Sequence, residues 1–385
     1  MHFCWGMASS MIFSLLPIFI VDELGGSSKS FGLLEGSVIF LSFIAKLFAG
    51  FIMDIFKKKL PMLKFGMYLT TLSKFSLACS INIFFAFIAK SIDRFAKGLR
   101  QAPSDAIFAE LSSKKGLAYS FRHMMNLSGF FCGSFITTMI ITSIGRNFRL
   151  IFSLAIVPTL IAIYIFKTRI KKLYDDDKLY QQRDNQKWKI SDIKNMSQNY
   201  WKFIIIIIFL MLNRFSEGFI TLRAKEIIPQ SVASFPIFMS LYEMCAILIS
   251  IPIGKIADKF DKRKILLFGV CLLITADIFG IFAYNLATLI PVYLFAGLHI
   301  GATQGLIGSI IAKIAHPQLI GTAFAIYYGI DGIVLFSSNN IAGLSCNIMK
   351  YLGLQNSSGP FLFGILCSII SSLFILNWIK KEKSF

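Results

Sequence analysis

Ionisable side chains interrupt long apolar stretches of this sequence. Arg94 follows Lys90 at i,i+4, and Glu217 follows Arg214 at i,i+3, so in a helix each pair shares one face. A charge inside a hydrocarbon layer costs at least ~2.5–3.5 kcal/mol, and such groups therefore face a partner or a polar cavity. A carboxyl group shielded from bulk water can exchange a proton near neutral pH. These residues suggest solute binding and proton transfer, but a structural ion pair predicts the same spacing for Arg214 and Glu217.

Seven polar residues within the apolar stretches are predicted to line a cavity that binds the substrate and protons. Polar pairs at helical spacing and lone acids in apolar surroundings make up the set: Arg94, Arg122, Asn126, Arg214, Glu217, Glu243 and Asp331. Arg94 is the strongest candidate among them for a role in substrate or proton handling. Other polar residues in apolar stretches rank lower, because their sequence neighbours offer no partner or because a lone polar residue in a bundle is usually structural: Glu35, Lys46, Lys74, Asp277, His299 and Gln304.

The composition indicates which elements must position these residues. The chain has 385 residues, of which 56% are hydrophobic and only 15% charged, and its mean hydropathy is +0.69. A water-soluble fold could not bury so much apolar surface, and the 40 Phe residues exclude disorder. Apolar runs without strand alternation favour helices over a barrel. The predicted fold is all-α, with twelve transmembrane spans near 2–21, 31–53, 61–79, 82–105, 117–143, 149–167, 201–223, 233–254, 264–284, 288–313, 321–346 and 359–380.

The basic residues predict the orientation of these spans. Lys and Arg number 39 against 20 acidic residues, which gives a net charge of +19. Most of these cations fall in one set of alternate loops and in the C-terminal tail, and cytoplasmic loops are the ones enriched in cations. Both termini are therefore predicted to be cytoplasmic. The first span has no preceding cation and no small-residue cleavage site before Asp22, so we expect it to be retained.

An internal repeat predicts two homologous halves. The pattern Gly50-x-x-x-Asp54-x-Phe56 with following lysines recurs as Gly254-x-x-x-Asp258-x-Phe260, and Gly116-Leu-Ala118-Tyr119 is echoed by Gly321-Thr-Ala323-Phe324 at nearly the same separation. A polar stretch of mixed charge lies between the two copies. The predicted organisation is a six-helix bundle over 1–167, a cytoplasmic linker over 168–200 and a second bundle over 201–385.

The repeated loops are interpreted as conformational latches. Their carboxylates stand at cytoplasmic helix ends, where they can pair with a cation or with the positive N-terminus of a neighbouring helix. The glycines allow close helix approach. If these contacts break when the two halves of the protein move apart, they are coupled to the conformational cycle. The alternative is that the cations of these loops serve only to fix the topology of the chain. The predicted latch residues are Gly50, Asp54, Lys58, Lys59, Gly254, Asp258, Lys262 and Arg263.

These motifs resemble those of the major facilitator superfamily (MFS). The paired loop motif is typical of that family, and Asp93-Arg94-x-x-Lys97-Gly98-x-Arg100-x-Ala102 is similar to a helix-4 motif of poorly characterised bacterial permeases in it, with Asp93, Arg94, Gly98 and Ala102 as its matched positions. Some positions depart from the pattern. Ile55 replaces a usual cation, Lys57 and Asp261 replace glycine, and Asn126 stands where related permeases often carry an acid. The resemblance implies two pseudo-symmetric six-helix bundles and secondary transport.

The predicted function is proton-coupled transport of a small polar solute by alternating access. The sequence has no phosphate-binding loop motif for a nucleotide, so transport is expected to draw on an ion or substrate gradient. No pattern in it suggests catalysis, and no enzyme activity, cofactor or metal is expected. The expected partners are the solute, protons and the lipid bilayer, without nucleic acid, and the expected state is a monomer in the bacterial inner membrane. The seven cysteines lack metal-ligand spacing. Two alternatives stay open: drug or metabolite efflux, and a transporter-like receptor or assembly factor that carries no solute.

Overall fold

The computed structural model describes residues 1–56, 59–111, 115–170, 196–229, 234–257, 260–315, 320–352 and 356–381. These residues form helices and short connections, and no strand occurs among them. Most of the predicted linker, 171–195, lies outside the described residues. The all-α prediction is therefore confirmed for the part of the chain that is described.

In the first half of the chain, the described residues form seven helices that we number. The first is followed by a helical turn at Leu16–Ile18 and a π-helix at Phe19–Glu23, and the seventh by a π-helix at Phe166–Ile170. The helices are α1 His2–Phe13, α2 Ser28–Phe56, α3 Lys59–Ala78, α4 Ile83–Leu111, α5 Lys115–Ile144, α6 Phe148–Leu154 and α7 Ile156–Ile165.

The described residues of the second half also form seven helices. A 3-10 turn at Asn356–Ser358 precedes the last one. The helices are α8 Gln198–Leu212, α9 Gly218–Ile227, α10 Ser234–Ala257, α11 Lys262–Phe282, α12 Leu286–Ile314, α13 Ile320–Tyr351 and α14 Gly359–Lys381. Three of them begin at side-chain caps, because Ser197, Asp261 and Asn285 each accept a hydrogen bond from a backbone N–H of the first turn.

Eight helical segments within the described residues are long and apolar enough to cross a membrane. They correspond to the predicted spans 1, 2, 5, 6, 8, 9, 10 and 12. The remaining predicted spans fall on α3, on α4, on α8 with α9, and on α13. The described helices are thus consistent with the twelve predicted spans.

Span seven is broken within the described residues, because α8 ends at Leu212 and α9 begins at Gly218. Span one continues as one helical segment from His2 to Glu23, with a local turn at Ser14 and Leu15. Discontinuous helices mark binding sites in many transporters, because the break frees polar backbone groups at membrane depth. Span seven was predicted to be continuous, and that prediction was wrong.

Neighbouring helices satisfy the backbone groups freed by the span-seven break. The Ser338 hydroxyl of α13 donates to the Leu212 carbonyl at 2.8 Å, and the Ser216 N–H donates to Oδ1 of Asn339 at 2.9 Å. Unpaired backbone groups cost several kcal/mol in a hydrocarbon layer, so a break persists only where such partners exist. The break is therefore stabilised by specific hydrogen bonds to side chains of α13.

The chain folds into two compact units. The first comprises Met1–Ser27, Ser37–Arg183 and Ser231–Ser240, and the second comprises Ser28–Gly36, Asp184–Gln230 and Leu241–Phe385. In the first unit α1 packs against α5, where a Cβ on Gly129 or Gly133 would collide with the backbone of α1. In the second unit α11 packs against α12 and α14.

Candidate functional site

Arg214 lies in the break of span seven, in the second unit. Its Nε donates a hydrogen bond to Nε2 of His299 at 3.1 Å, and its Nη2 donates to the Thr303 hydroxyl. Both acceptors lie one turn apart on α12. The sequence prediction placed Arg214 and Glu217 on one helical face, and this is wrong because α8 ends at Leu212. The position of Arg214 is determined by α12 instead.

The hydrogen bonds of His299 establish its protonation state. A guanidinium N–H can only donate, so Nε2 of His299 accepts from Arg214. The Gly269 carbonyl can only accept, so Nδ1, 2.7 Å away, carries the proton. His299 is therefore a neutral imidazole that is 1% exposed. It links the Arg214 guanidinium group to the Gly269 carbonyl of α11, although its sequence context ranked it low.

Two of the three predicted acids of the second unit lie near enough to Arg214 for their charges to act on it, and the third lies near one of them. The carboxylates of Glu217 and Asp331 both attract its guanidinium group electrostatically. The Tyr242 hydroxyl donates to Oε1 of Glu217 at 3.1 Å, and Glu243 is close enough to Glu217 for their charges to repel. The structure thus brings together all four predicted site residues of this unit. One cation and three carboxyl groups can bind a polar solute and exchange a proton.

The first unit contains a buried cluster of cations on α3 and α4. Lys74 pairs with Asp93 at 3.0 Å, and the Ser73 hydroxyl donates to the same carboxylate at 3.1 Å. The guanidinium groups of Arg94 and Arg100 repel Lys74. Asp93, predicted from the helix-4 motif, thus anchors Lys74, whose partner lies too far along the sequence to be found from helical spacing.

Aromatic rings cover two further cations of this cluster. The Arg100 guanidinium group lies 4.3 Å from the ring centre of Trp5, and the Lys90 ammonium group lies 5.6 Å from that of Phe13. Both rings belong to α1, and cation–π contacts of this kind stabilise charges away from water. They place α1 against the charged face of α4.

The other predicted residues of the first unit lie on α5 and α4. The charge of Arg122 acts on His2 of α1, and the Asn126 carbonyl is in close contact with Gly6 of the same helix. Gly98 faces α2, where an added Cβ would come 2.9 Å from the Ser42 carbonyl. Gly98 is therefore a packing glycine, as motif glycines often are. The side chain of Ala102 lies outside the described residues.

Only part of the predicted latch can be described. The side chains of Gly50, Asp54, Lys58, Lys59 and Asp258 lie outside the described residues. Gly254 is exposed, with open space where a Cβ would stand, so the prediction that it allows close helix approach is wrong. Lys262 begins α11. Arg263 is 1% exposed, a burial that its charged sequence neighbours did not indicate.

Arg263 and Asp261 form an ion pair at the start of α11. Nη2 of Arg263 lies 2.8 Å from Oδ2 of Asp261, and the Arg263 guanidinium group also stacks on Trp378 of α14. Burial opposes ionisation of Asp261, but hydrogen bonds from Arg263 and the charges of Arg263 and Lys264 hold the pKa of this carboxyl below its ordinary value. Arg263 thereby joins the start of α11 to the end of α14.

The described residues hold no group of three or more His, Cys, Asp or Glu side chains that could bind a metal ion. The polar groups of the candidate site are instead charged and hydrogen-bonding side chains at a helix break. Such an arrangement is typical of solute recognition in membrane carriers.

Comparison with known proteins identifies the family. The model of the Major Facilitator Superfamily matches residues 1–339. The chain belongs to the major facilitator superfamily. A curated relative in Methanocaldococcus jannaschii, described as an uncharacterised MFS-type transporter, is 28% identical over 382 residues, which cover 96% of this chain and 91% of the relative.

Solved structures that share the fold of this MFS chain are transporters for different solutes. The nucleoside transporter NupG, as its D323A mutant, superimposes with a TM-score of 0.80 at 12% identity, covering 98% of this chain and 97% of that one. A peptide-bound POT family transporter gives 0.77 at 12% identity, covering 99% and 94%. A D-xylose–proton symporter gives 0.70 at 16% identity, covering 96% and 94%. At these identities the likeness establishes the MFS fold alone.

Family and fold together define the class of this protein. It is a multi-pass integral membrane protein and an MFS transporter of the secondary kind, with family members and structural neighbours that are transporters. The resemblance inferred from the loop and helix-4 motifs is confirmed.

Proposed function

We propose that this transporter moves a small polar solute by alternating access and couples that movement to protons. The observation that carries the proposal is Arg214, which stands in a helix break, is held by neutral His299 and Thr303, and attracts two carboxylates. A guanidinium group fixed in this way can bind a carboxylate or another acceptor group of a solute.

Proton coupling is supported by the acids beside Arg214. Glu217 and Glu243 repel each other, and a proton on either one relieves that repulsion. A solute anion that binds Arg214 would compete with the carboxylates of Glu217 and Asp331 for the positive charge of Arg214. This competition would favour protonation of those two carboxylates. One structural neighbour is named as a proton symporter, which is compatible with this scheme but concerns another protein.

The proposed cellular arrangement follows the charge pattern of the sequence. We place the chain in the cytoplasmic membrane as a monomer with both termini in the cytoplasm. Two six-helix bundles, 1–167 and 201–385, would move relative to each other around the linker 168–200, and the loop residues from Gly50 to Lys59 and from Gly254 to Arg263 would act as latches. Arg94, Arg122 and Asn126 would serve the solute from the first bundle.

The test begins with the purified full-length chain and a library of small solutes. Solutes that raise its unfolding temperature are then offered to proteoliposomes, and uptake of a labelled hit in counterflow is measured with and without an imposed pH gradient. We expect at least one polar solute to exchange and an inward proton gradient to raise its accumulation. Transport of lipophilic cations alone would contradict the proposal.

Variants locate the site in the same assay. We expect Arg214→Gln and Arg94→Ala each to reduce counterflow at least tenfold, because each removes a cation from the predicted cavity. Lys350→Gln is the matched control, since it removes an exposed cation at the end of α13, and should leave exchange unchanged. Normal exchange by Arg94→Ala would remove that residue from the site.

Efflux is the second direction that the assay separates. Accumulation of the solute in inside-out vesicles, driven by protons that leave the vesicles as the solute enters, would indicate an exporter. Binding of a solute without any exchange would favour the receptor or assembly-factor alternative.

A further inference from the structure

A second buried carboxyl group lies in the second unit, outside the predicted cavity set. Asp277 of α11 is 2% exposed, five residues before the end of that helix at Phe282. Its hydrogen-bond donor is Nδ2 of Asn213, 2.6 Å from Oδ2. The same nitrogen donates to the Ser368 hydroxyl of α14 at 2.6 Å. An amide, a hydroxyl and a carboxyl group thus meet among α8, α11 and α14.

The orientation of the Asn213 amide follows from these contacts. Its two N–H groups serve Asp277 and Ser368, which uses its full donor capacity. Its Oδ1 atom is buried without a hydrogen bond and lies in close contact with Gly364 of α14. Because position 364 is a glycine, α14 leaves room for Oδ1 on that side, which permits the orientation with the nitrogen toward Asp277.

The charged groups nearby are committed to other partners. Arg223 of α9 donates to the carbonyl groups of Gly280, Ile281 and Ala283 at the end of α11 and pairs with Glu226 at 3.1 Å. His299 of α12 is neutral and bonds to Gly269, about two turns away along α11. The titratable groups on the elements packed around Asp277 are Cys367 on α14, Tyr293 and His299 on α12, and Arg223 on α9.

Among the residues that the structure describes, an ionised Asp277 would therefore face only the neutral donor Asn213 inside the bilayer. Burying an unpaired carboxylate costs several kcal/mol even after the protein relaxes, whereas a neutral carboxylic acid needs only ordinary hydrogen bonds. From this geometry we infer that Asp277, with Asn213 and Ser368, is a proton-binding site that is occupied in the described conformation.

The position of Asn213 connects this site to the transport machinery. Asn213 is the residue at which α8 ends, and it directly precedes Arg214 in the break. Loss of the proton would leave a carboxylate that needs water or new hydrogen-bond donors. We expect this carboxylate to shift Asn213 and thereby weaken the contact between α8 and α14. The site would thus link protonation to the shape of the break. This role rests on the proton coupling proposed above, but occupancy of the site does not depend on any solute.

Infrared difference spectroscopy tests the occupancy directly. The full-length chain in lipid membranes is compared with Asp277→Asn at neutral pH, and the carbonyl stretch of protonated carboxylic acids is measured in the absence of solute. We expect the variant to lose one band of a buried carboxylic acid. An unchanged carboxylic acid region, with loss of a carboxylate band instead, would overturn the inference.

Glu226→Gln is the matched control. Its carboxylate is paired with Arg223, so the variant should lose a carboxylate band and keep the carboxylic acid band. Asparagine has nearly the size of a neutral aspartic acid, so Asp277→Asn should fold, as judged by size-exclusion elution and circular dichroism. Failure of this variant to fold, while Glu226→Gln folds, would also contradict a neutral Asp277. A carboxylic acid band together with transport that ignores the pH gradient would refute the coupling and leave the proton site standing.

Discussion

At the scale of single residues, Asp261 has two roles at the start of α11. It caps the helix by accepting from the Arg263 backbone N–H at 2.9 Å, and it neutralises the buried Arg263 side chain. A cap of this type contributes about 0.5–2 kcal/mol. The charge adds a dependence on pH, because its partner Arg263 stays protonated throughout the usual range.

The sign of that pH dependence follows from the lowered pKa of Asp261. A carboxyl group whose pKa is lower in the folded state stabilises the fold above its unfolded pKa, about 3.9, and loses that contribution as the pH falls through the folded value. We expect the unfolding temperature of Asp261→Asn to fall less between neutral and acid pH than that of the wild type. Thermal unfolding in detergent, followed by fluorescence over a pH series, measures this.

A second substitution separates the cap from the charge. Asn is a good helix cap without a charge, whereas Asp261→Ala removes both. We expect Ala to lower the unfolding temperature at neutral pH more than Asn does. Equal pH profiles for the wild type and both variants would show that Asp261 does not titrate with folding.

At the scale of elements, Arg223 fastens several segments of the second unit together. Its side chain is fully buried and donates to three carbonyl groups at the C-terminal end of α11, and its partner Glu226 accepts from the Ser357 N–H at 3.1 Å. A cation at this end also complements the helix dipole. Arg223 stands at the last position of the predicted span seven, and the structure shows that it is a buried cap of α11.

Removal of this cap should destabilise the second unit. Arg223→Met leaves three carbonyl groups at the end of α11 without their donor, and a buried acceptor left without a hydrogen bond costs about 1–3 kcal/mol. We expect a clear fall in unfolding temperature, with Arg223→Lys between the variant and the wild type. Arg149→Lys is the control, because Arg149 donates one hydrogen bond, to the Ser80 carbonyl at 3.3 Å. A similar loss in both Lys variants would contradict the specific role of Arg223.

At the scale of the whole molecule, the predicted orientation can be tested through a native cysteine. Cys79 is exposed directly after α3, in a connection that the charge pattern places outside the cell. A membrane-impermeant maleimide applied to intact cells should label the wild type and not Cys79→Ser. In a Cys79→Ser background, Lys380→Cys should react only after the membrane is opened, since the C-terminus is predicted to be cytoplasmic. The reverse pattern would invert the topology.

The sequence by itself determined the class, the family and the placement of the spans. The free energy of transferring about 20 apolar residues into the bilayer is large compared with that of any single interaction. The bilayer therefore determines where each helix lies in the sequence, almost regardless of its neighbours. The loop motifs and the helix-4 motif reported the superfamily because their residues stand at characteristic offsets. They also placed Asp93 and Gly98 on a helix that the structure contains.

The tertiary structure alone decided which polar residues meet. Lys74 finds Asp93 on the next helix, Arg214 is held by His299, and Asp277 faces Asn213. Each pair joins segments that are far apart in the sequence, and side-chain spacing along one helix carries no information about a partner elsewhere in the chain. The same holds for the break at Leu212, since the Ser338 hydroxyl that makes it tolerable comes from α13. Local sequence fixes where a helix can exist, whereas the buried partners fix where it can end and which charges it can carry.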